Sequence, residues 1–153
     1  MEITFDNYLK QLTDNYIHLP KEPKIAIFIM GIPGSGKTTL IKRFINQVLG
    51  KILYRVCLTS SRDEIEFKKE NFIECNPDRI GEYFKDIIEE EDLMKETNKM
   101  NCKLMKHILS DDTPFYNFTY DSTGKLYGHY LKYIKEAKKN NYLTILIDFQ
   151  SNL

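Results

Sequence analysis

The stretch Gly31-Ile32-Pro33-Gly34-Ser35-Gly36-Lys37-Thr38 restricts what this chain can fold into more than any other part of it. Its G-x-x-x-x-G-K-T spacing lies between an apolar run, Ile25 to Met30, and a helical pattern carried by Leu40, Ile41, Phe44, Ile45, Val48 and Leu49. Strand, loop and helix in that order turn successive backbone N–H groups into a concave anion site, with the positive end of the helix aimed at the same oxygens. Lys37 is placed to reach the outer phosphates of a bound nucleoside triphosphate, Thr38 to offer its hydroxyl to Mg²⁺, and Thr39 to close the loop behind it. ATP and Mg²⁺ are the ligands this pattern predicts.

Composition narrows the setting. The 153 residues are 42% hydrophobic, enough for one ordinary core, so a single domain over 1–153 is expected. Basic and acidic side chains number 22 each, so net charge supplies no bulk attraction for nucleic acid or anionic lipid. Local lysine clusters, Lys68-Lys69 and Lys132, Lys135, Lys138, Lys139, leave a nucleic-acid partner possible but not indicated. Cys57, Cys75 and Cys102 are odd in number and carry no C-x-x-C, which suggests reduced thiols rather than disulfides or zinc. The amino terminus lacks a signal arrangement and no apolar run approaches the roughly 20 residues that span a bilayer, so a soluble, cytoplasmic chain is expected.

Periodicity organises the rest. Phe5, Leu9, Leu12, Tyr16 and Leu19 trace one face of a helix over residues 3–19, before Pro20 and Pro23 lead into a strand over 24–30. Gly50 reads as the stop of the helix after the loop, and Ile52, Tyr54, Val56 and Leu58 then alternate as a strand over 51–59. Phe72 to Asp78 reads as a short strand entering a helix, with Asn76 as cap and Pro77 at its first position. A helix over roughly 91–109, a strand ending Tyr120-Asp121-Ser122-Thr123-Gly124, a helix from Tyr127 closed at Asn140-Asn141, and a strand from Leu143 to Phe149 complete the pattern. The acidic run Glu89 to Asp92 reads as a solvated junction.

Alternating strands and helices of this length predict a three-layer α/β P-loop NTPase fold with a mostly parallel sheet, whose ligands lie at the carboxyl ends of the strands. Asp78, Asp121 and Asp148 all fall at such ends. The chain resembles the P-loop kinases, most closely the zeta-toxin-like and polynucleotide-kinase-like group. The resemblance rests on the loop, on Asn76-Pro77-Asp78-Arg79-Ile80 and on Tyr120-Asp121-Ser122-Thr123-Gly124, and it covers about 24–149. It implies transfer of the γ-phosphoryl group of Mg-ATP to a hydroxyl of a nucleotide, sugar nucleotide or polynucleotide end. In that reading Lys37, Asp78 and Asp121 are catalytic: Asp78 takes the acceptor's proton, and Asp121 holds Mg²⁺ through water beside Thr38. Asp148 is the second choice for the metal.

Two departures from the family stand in the sequence. Gly81 occupies the position where the family carries an arginine, and no arginine follows Arg79 to match the family's arginine-bearing lid, as expected of a truncated kinase, a fragment of a longer polypeptide or a binder without transfer activity. The expected organisation is therefore an N-terminal helix over 1–20 and a kinase-like core truncated at its carboxyl end. Two rival functions stay open: a nucleotide-binding module without catalysis, and a GTPase-like switch in which Asp121-Ser122-Thr123-Gly124 is a D-x-x-G signature. The switch lacks an N-K-x-D base reader, since Asn98-Lys99-Met100-Asn101 has the wrong last residue.

Overall fold

A computed structural model describes residues 3–19, 24–31, 37–56, 66–110, 115–122 and 127–149. Four strands, β1 (Ile25–Gly31), β2 (Ile73–Cys75), β3 (Phe118–Asp121) and β4 (Leu143–Phe149), form one sheet in the order β2-β3-β1-β4, with every neighbouring pair parallel. β1 thus lies inside, and the connection from β3 to β4 crosses over it. The turning point in strand order falls beside the strand that feeds the loop, where parallel sheets open a crevice for ligands.

Alternation divides the sheet into two apolar faces. Ala26, Phe28, Ile73, Cys75, Phe118 and Tyr120 point to one, where they meet Leu104, Met105 and Ile108 of α5 (Glu90–Ile108) and Tyr130, Tyr133 and Ala137 of α6 (Tyr127–Lys139). Ile25, Ile27 and Ile29 point to the other, packed with Ile45, Leu49, Leu53, Phe67 and Phe72 and with Leu143, Ile145, Ile147 and Phe149 of β4. Both faces of a parallel sheet must be covered, which is why β1 reads as a continuous apolar run rather than an alternating one.

The helix that follows the loop departs from its expected course. It begins as α2 (Lys37–Arg43), passes through a π-helical turn (Phe44–Val48) and continues as α3 (Leu49–Val56). Gly50 does not stop it, and the strand expected over 51–59 is helical as far as Val56; residues 57–59 lie outside the described residues. The physical reason is burial at helical spacing: Ile45, Leu49 and Leu53 all seat in the core. That burial outweighs the roughly 1 kcal/mol a helical glycine costs.

The remaining elements follow their local signals. α1 (Phe5–Asn15) is capped by Thr4, whose hydroxyl accepts the Asn7 N–H at 3.1 Å. α4 (Pro77–Phe84) is capped by Asn76, with Pro77 in its first turn, as the sequence predicts. Chain reversal after α6 uses Asn141 at φ +66°, a left-handed conformation that asparagine tolerates. The acidic residues Glu90, Glu91 and Asp92 occupy the first turn of α5 and are exposed, where they favour the helix dipole.

Buried Asn117 joins three parts of the fold. Its side-chain oxygen accepts the Ile25 N–H at 2.7 Å, its own N–H donates to the Tyr16 hydroxyl at 3.1 Å, and its carbonyl accepts the Ile73 N–H at 2.9 Å. The segment after α1 is also tied to a 3₁₀ turn (Lys69–Asn71): Ile17 N–H donates to the Glu70 carbonyl at 2.8 Å, and the Asn71 amide donates to the Ile17 carbonyl at 2.7 Å. Those bonds hold α1 against the start of β2.

Candidate functional site

Lys37 opens α2 and turns back over the end of β1. Its ammonium stands 3.1 and 3.2 Å from the two carboxylate oxygens of Asp121 and 3.4 Å from the Gly31 carbonyl. Both side chains of the ion pair are only 13% exposed. The pairing follows from register: Ile29 of β1 is opposite Asp121 of β3, so the loop lysine and the β3 carboxylate emerge from adjacent strand ends. Burial raises the Asp121 carboxyl above its ordinary range, Lys37 opposes that shift, and the charge of Asp78 adds to it.

Two features fix these strand ends. Gly31 lies opposite Phe149 in register, and a Cβ on Gly31 would fall 2.8 Å from the Phe149 Cβ and 2.9 Å from its carbonyl oxygen. No larger residue fits there without movement. On the other side, the buried Tyr130 hydroxyl donates to the Ile29 carbonyl at 2.6 Å and accepts the Ser122 N–H at 2.9 Å. It thereby ties β1 to the residue that follows Asp121.

Next to the ion pair is a cavity of about 260 Å³, lined among others by Thr38, Asp121, Glu74, Arg79, Tyr8 and Lys69. Ile29, Ile41, Ile45 and Phe72 supply its apolar wall, and Tyr8, Leu12, Asn15 and Tyr16 close it from α1 and the residue after it. Glu74 stands opposite Thr119 in register and, by alternation, on the sheet face that also carries Asp121. Its carboxylate lies 3.4 Å from the Arg79 guanidinium, which also reaches Glu82 at 3.5 Å. Burial pushes the Glu74 carboxyl above the usual range, against the pull of Arg79 and Lys69.

The structure therefore brings together Lys37, Thr38, Asp121 and the end of Gly31. Of the other predicted nucleotide-binding residues, Thr39 is exposed on α2, and Ile32, Pro33, Gly34, Ser35 and Gly36 lie outside the described residues. Asp78 is exposed in the first turn of α4, is not among the residues lining the cavity, and acts on Asp121 through its charge. Asp148 pairs in register with Met30 rather than with Ile29, so alternation places it on the opposite face from Asp121. Asp148 is thus set apart from Asp121 by the sheet, while Asp78 stays within electrostatic reach of it.

Thr38 and Asp121 offer hard oxygen atoms to the same cavity, a donor set that suits Mg²⁺, which takes one or two protein ligands and fills its remaining positions with water and phosphate. Among the described residues there is no cluster of three or more His, Cys, Asp or Glu that could hold a metal ion. Sequence reasoning missed Glu74, Tyr8 and Tyr130. For Glu74 a signal existed, a lone carboxylate within the apolar run Phe72-Ile73-Glu74-Cys75.

A family model for the viral superfamily 1 RNA helicase core domain matches residues 27–91, from within β1 to the start of α5. No curated protein matches the chain. The match and the all-parallel four-stranded sheet agree with a P-loop NTPase-like fold. What the match supports is the P-loop superfamily, and with it nucleotide binding; the likeness to the kinase branch rests on the sequence motifs alone. No helix among the described residues is long and apolar enough to cross a membrane.

Proposed function

We propose that this chain binds Mg-ATP at Gly31 to Thr39 and transfers its γ-phosphoryl group to a hydroxyl acceptor, acting as a single cytoplasmic kinase-like domain. The observation that carries the reading is the cavity that begins at Thr38 and Asp121 and is walled on one side by Ile29, Ile41 and Ile45. An NTPase acting on water alone needs no such pocket, whereas a kinase must hold a second substrate dry and in line with the terminal phosphate.

The chain's own groups divide the work. Lys37, released from Asp121 when a phosphate arrives, neutralises charge on the β- and γ-phosphates as the bond to the leaving group lengthens. Thr38 directly, and Asp121 through water, would hold Mg²⁺, which would supply charge neutralisation to the phosphates. Ile29, Ile41 and Ile45 keep bulk water from the acceptor side. The resemblance assigns the acceptor's proton to Asp78.

Calorimetry with Mg-ATP and Mg-GTP, on the intact chain and on Lys37→Ala, tests the binding half. ATP binding that the substitution weakens by about 10- to 150-fold is the expected result, and equal or stronger GTP binding would favour a switch. A second reading comes from the family match: nucleotide hydrolysis driven by nucleic acid. It calls for ATP hydrolysis that rises when single-stranded RNA is added, and phosphotransfer calls for RNA to leave hydrolysis unchanged.

A further inference from the structure

Resting on the phosphotransfer reading, we propose that the cavity between α1, α2 and β2 is the acceptor pocket, and that Glu74 rather than Asp78 is the carboxylate that contacts the acceptor hydroxyl. Position carries the argument. Glu74 lines the same cavity as Thr38 and Asp121, while Asp78 is exposed and outside that lining. The side chain of Glu74 is 27% exposed and stands on the Asp121 face of the sheet, where it forms part of the pocket wall.

The lining also limits the acceptor. A volume of about 260 Å³ lies just under the roughly 300–1,000 Å³ of pockets that hold drug-sized ligands, which suits one sugar or nucleoside unit. Tyr8, Tyr16 and Phe72 offer aromatic surface, and Asn15, Asn76 and Lys69 offer polar contacts. The half-exposed Arg79 guanidinium stands 3.4 Å from the Glu74 carboxylate. In the reaction the acceptor O–H gives its proton to the Glu74 carboxylate, the acceptor oxygen forms a bond to the γ-phosphorus, and the bond from that phosphorus to the β–γ bridging oxygen breaks. Nucleoside diphosphate leaves with the bonding electrons, and Glu74 returns its proton to solvent.

The test is transfer of labelled γ-phosphate from Mg-ATP to nucleosides, nucleoside monophosphates, monosaccharides, sugar nucleotides and 5′-hydroxyl oligonucleotides. Wild type, Glu74→Gln, Asp78→Asn and Tyr8→Ala are compared, with calorimetry for ATP and for the best acceptor. Glu74→Gln is expected to lower kcat by about 10²- to 10⁴-fold with ATP affinity kept, and to cost at least thirtyfold more than Asp78→Asn. Tyr8→Ala is expected to raise the acceptor KM and leave the ATP KM alone. Should Asp78→Asn cost as much as Glu74→Gln or more, the assignment of Glu74 is overturned while phosphotransfer stands. Mg-ATP bound with no member of the panel labelled overturns the phosphotransfer reading, and this assignment with it.

Discussion

Replacing Tyr130 by Phe removes one oxygen atom and should be felt both in stability and at the nucleotide site. The hydroxyl's two shortest contacts are the Ile29 carbonyl at 2.6 Å and the Ser122 N–H at 2.9 Å, with the Ser122 carbonyl at 3.2 Å. A carbonyl has a second lone pair and tolerates the loss better than an N–H does. The stranded Ser122 N–H should cost about 1–3 kcal/mol and the lost bond to Ile29 about 1 kcal/mol more, so the total is about 2–4 kcal/mol. Urea unfolding should therefore show a lower midpoint at unchanged slope. Ser122 follows Asp121 directly, so Mg-ATP affinity should fall in the same variant although Tyr130 touches no ligand. A loss under about 0.5 kcal/mol, the range of ordinary surface substitutions, would refute the idea that this hydroxyl holds the two strand ends together.

Other substitutions probe other parts. Lys37→Ala should weaken Mg-ATP by roughly 1.5–3 kcal/mol, the worth of a charge-assisted hydrogen bond, or about 10- to 150-fold by calorimetry. Asn76→Ala removes the cap of α4 and should cost about 0.5–2 kcal/mol in urea unfolding, with Asn76→Asp retaining most of it. Gly31→Ala puts a methyl group within 2.8 Å of Phe149 and should lower both the melting temperature and nucleotide affinity. Glu74→Gln should make the protein more stable at neutral pH. A carboxyl whose folded value is raised binds its proton more tightly in the folded state, so wild-type stability falls as pH rises from the ordinary carboxylate value through the raised one. The gain should shrink as pH drops from the raised value to the ordinary one and stay level below it, which thermal melts from pH 3 to 8 would show.

Much of the fold was legible because local signals and burial agree. The apolar run of β1, the Asn76-Pro77 start of α4 and the Asn140-Asn141 close of α6 each leave a local trace that tertiary structure keeps. The helix through Gly50 was not legible, since Ile52, Tyr54 and Val56 alternate as a strand would, and only the joint burial of Ile45, Leu49 and Leu53 decides the matter. At the site, the motif announced Lys37 and Thr38, and the strand end announced Asp121. Whether an aspartate at a strand end faces the ligand depends on the parity of the register, which sequence does not record. Asp148 is out of step with Asp121 by one residue and so falls on the other face. Tyr130 acts through the Ile29 carbonyl, 101 residues away in the chain, and nothing near it in sequence names that partner, whereas Glu74 pairs with the nearby Arg79 and only the fold places it at the cavity.

The strand order bears on how such a chain is made. β1 is flanked by β3 and β4, and the Ile25 N–H waits for Asn117, 92 residues further along. At the 5–20 residues per second of protein synthesis, that wait is roughly 5 to 20 s. Through it an apolar strand, Ile25 to Met30, has no partner for its backbone. The helix emerging directly behind it can shelter one face early, through Ile45, Leu49 and Leu53, while the other face gains most of its cover only once α5 and α6 are made. Nascent chains should therefore engage hydrophobic-binding chaperones at Ile25 to Met30, and folding should be slow for a domain of this size, as long-range parallel pairing requires.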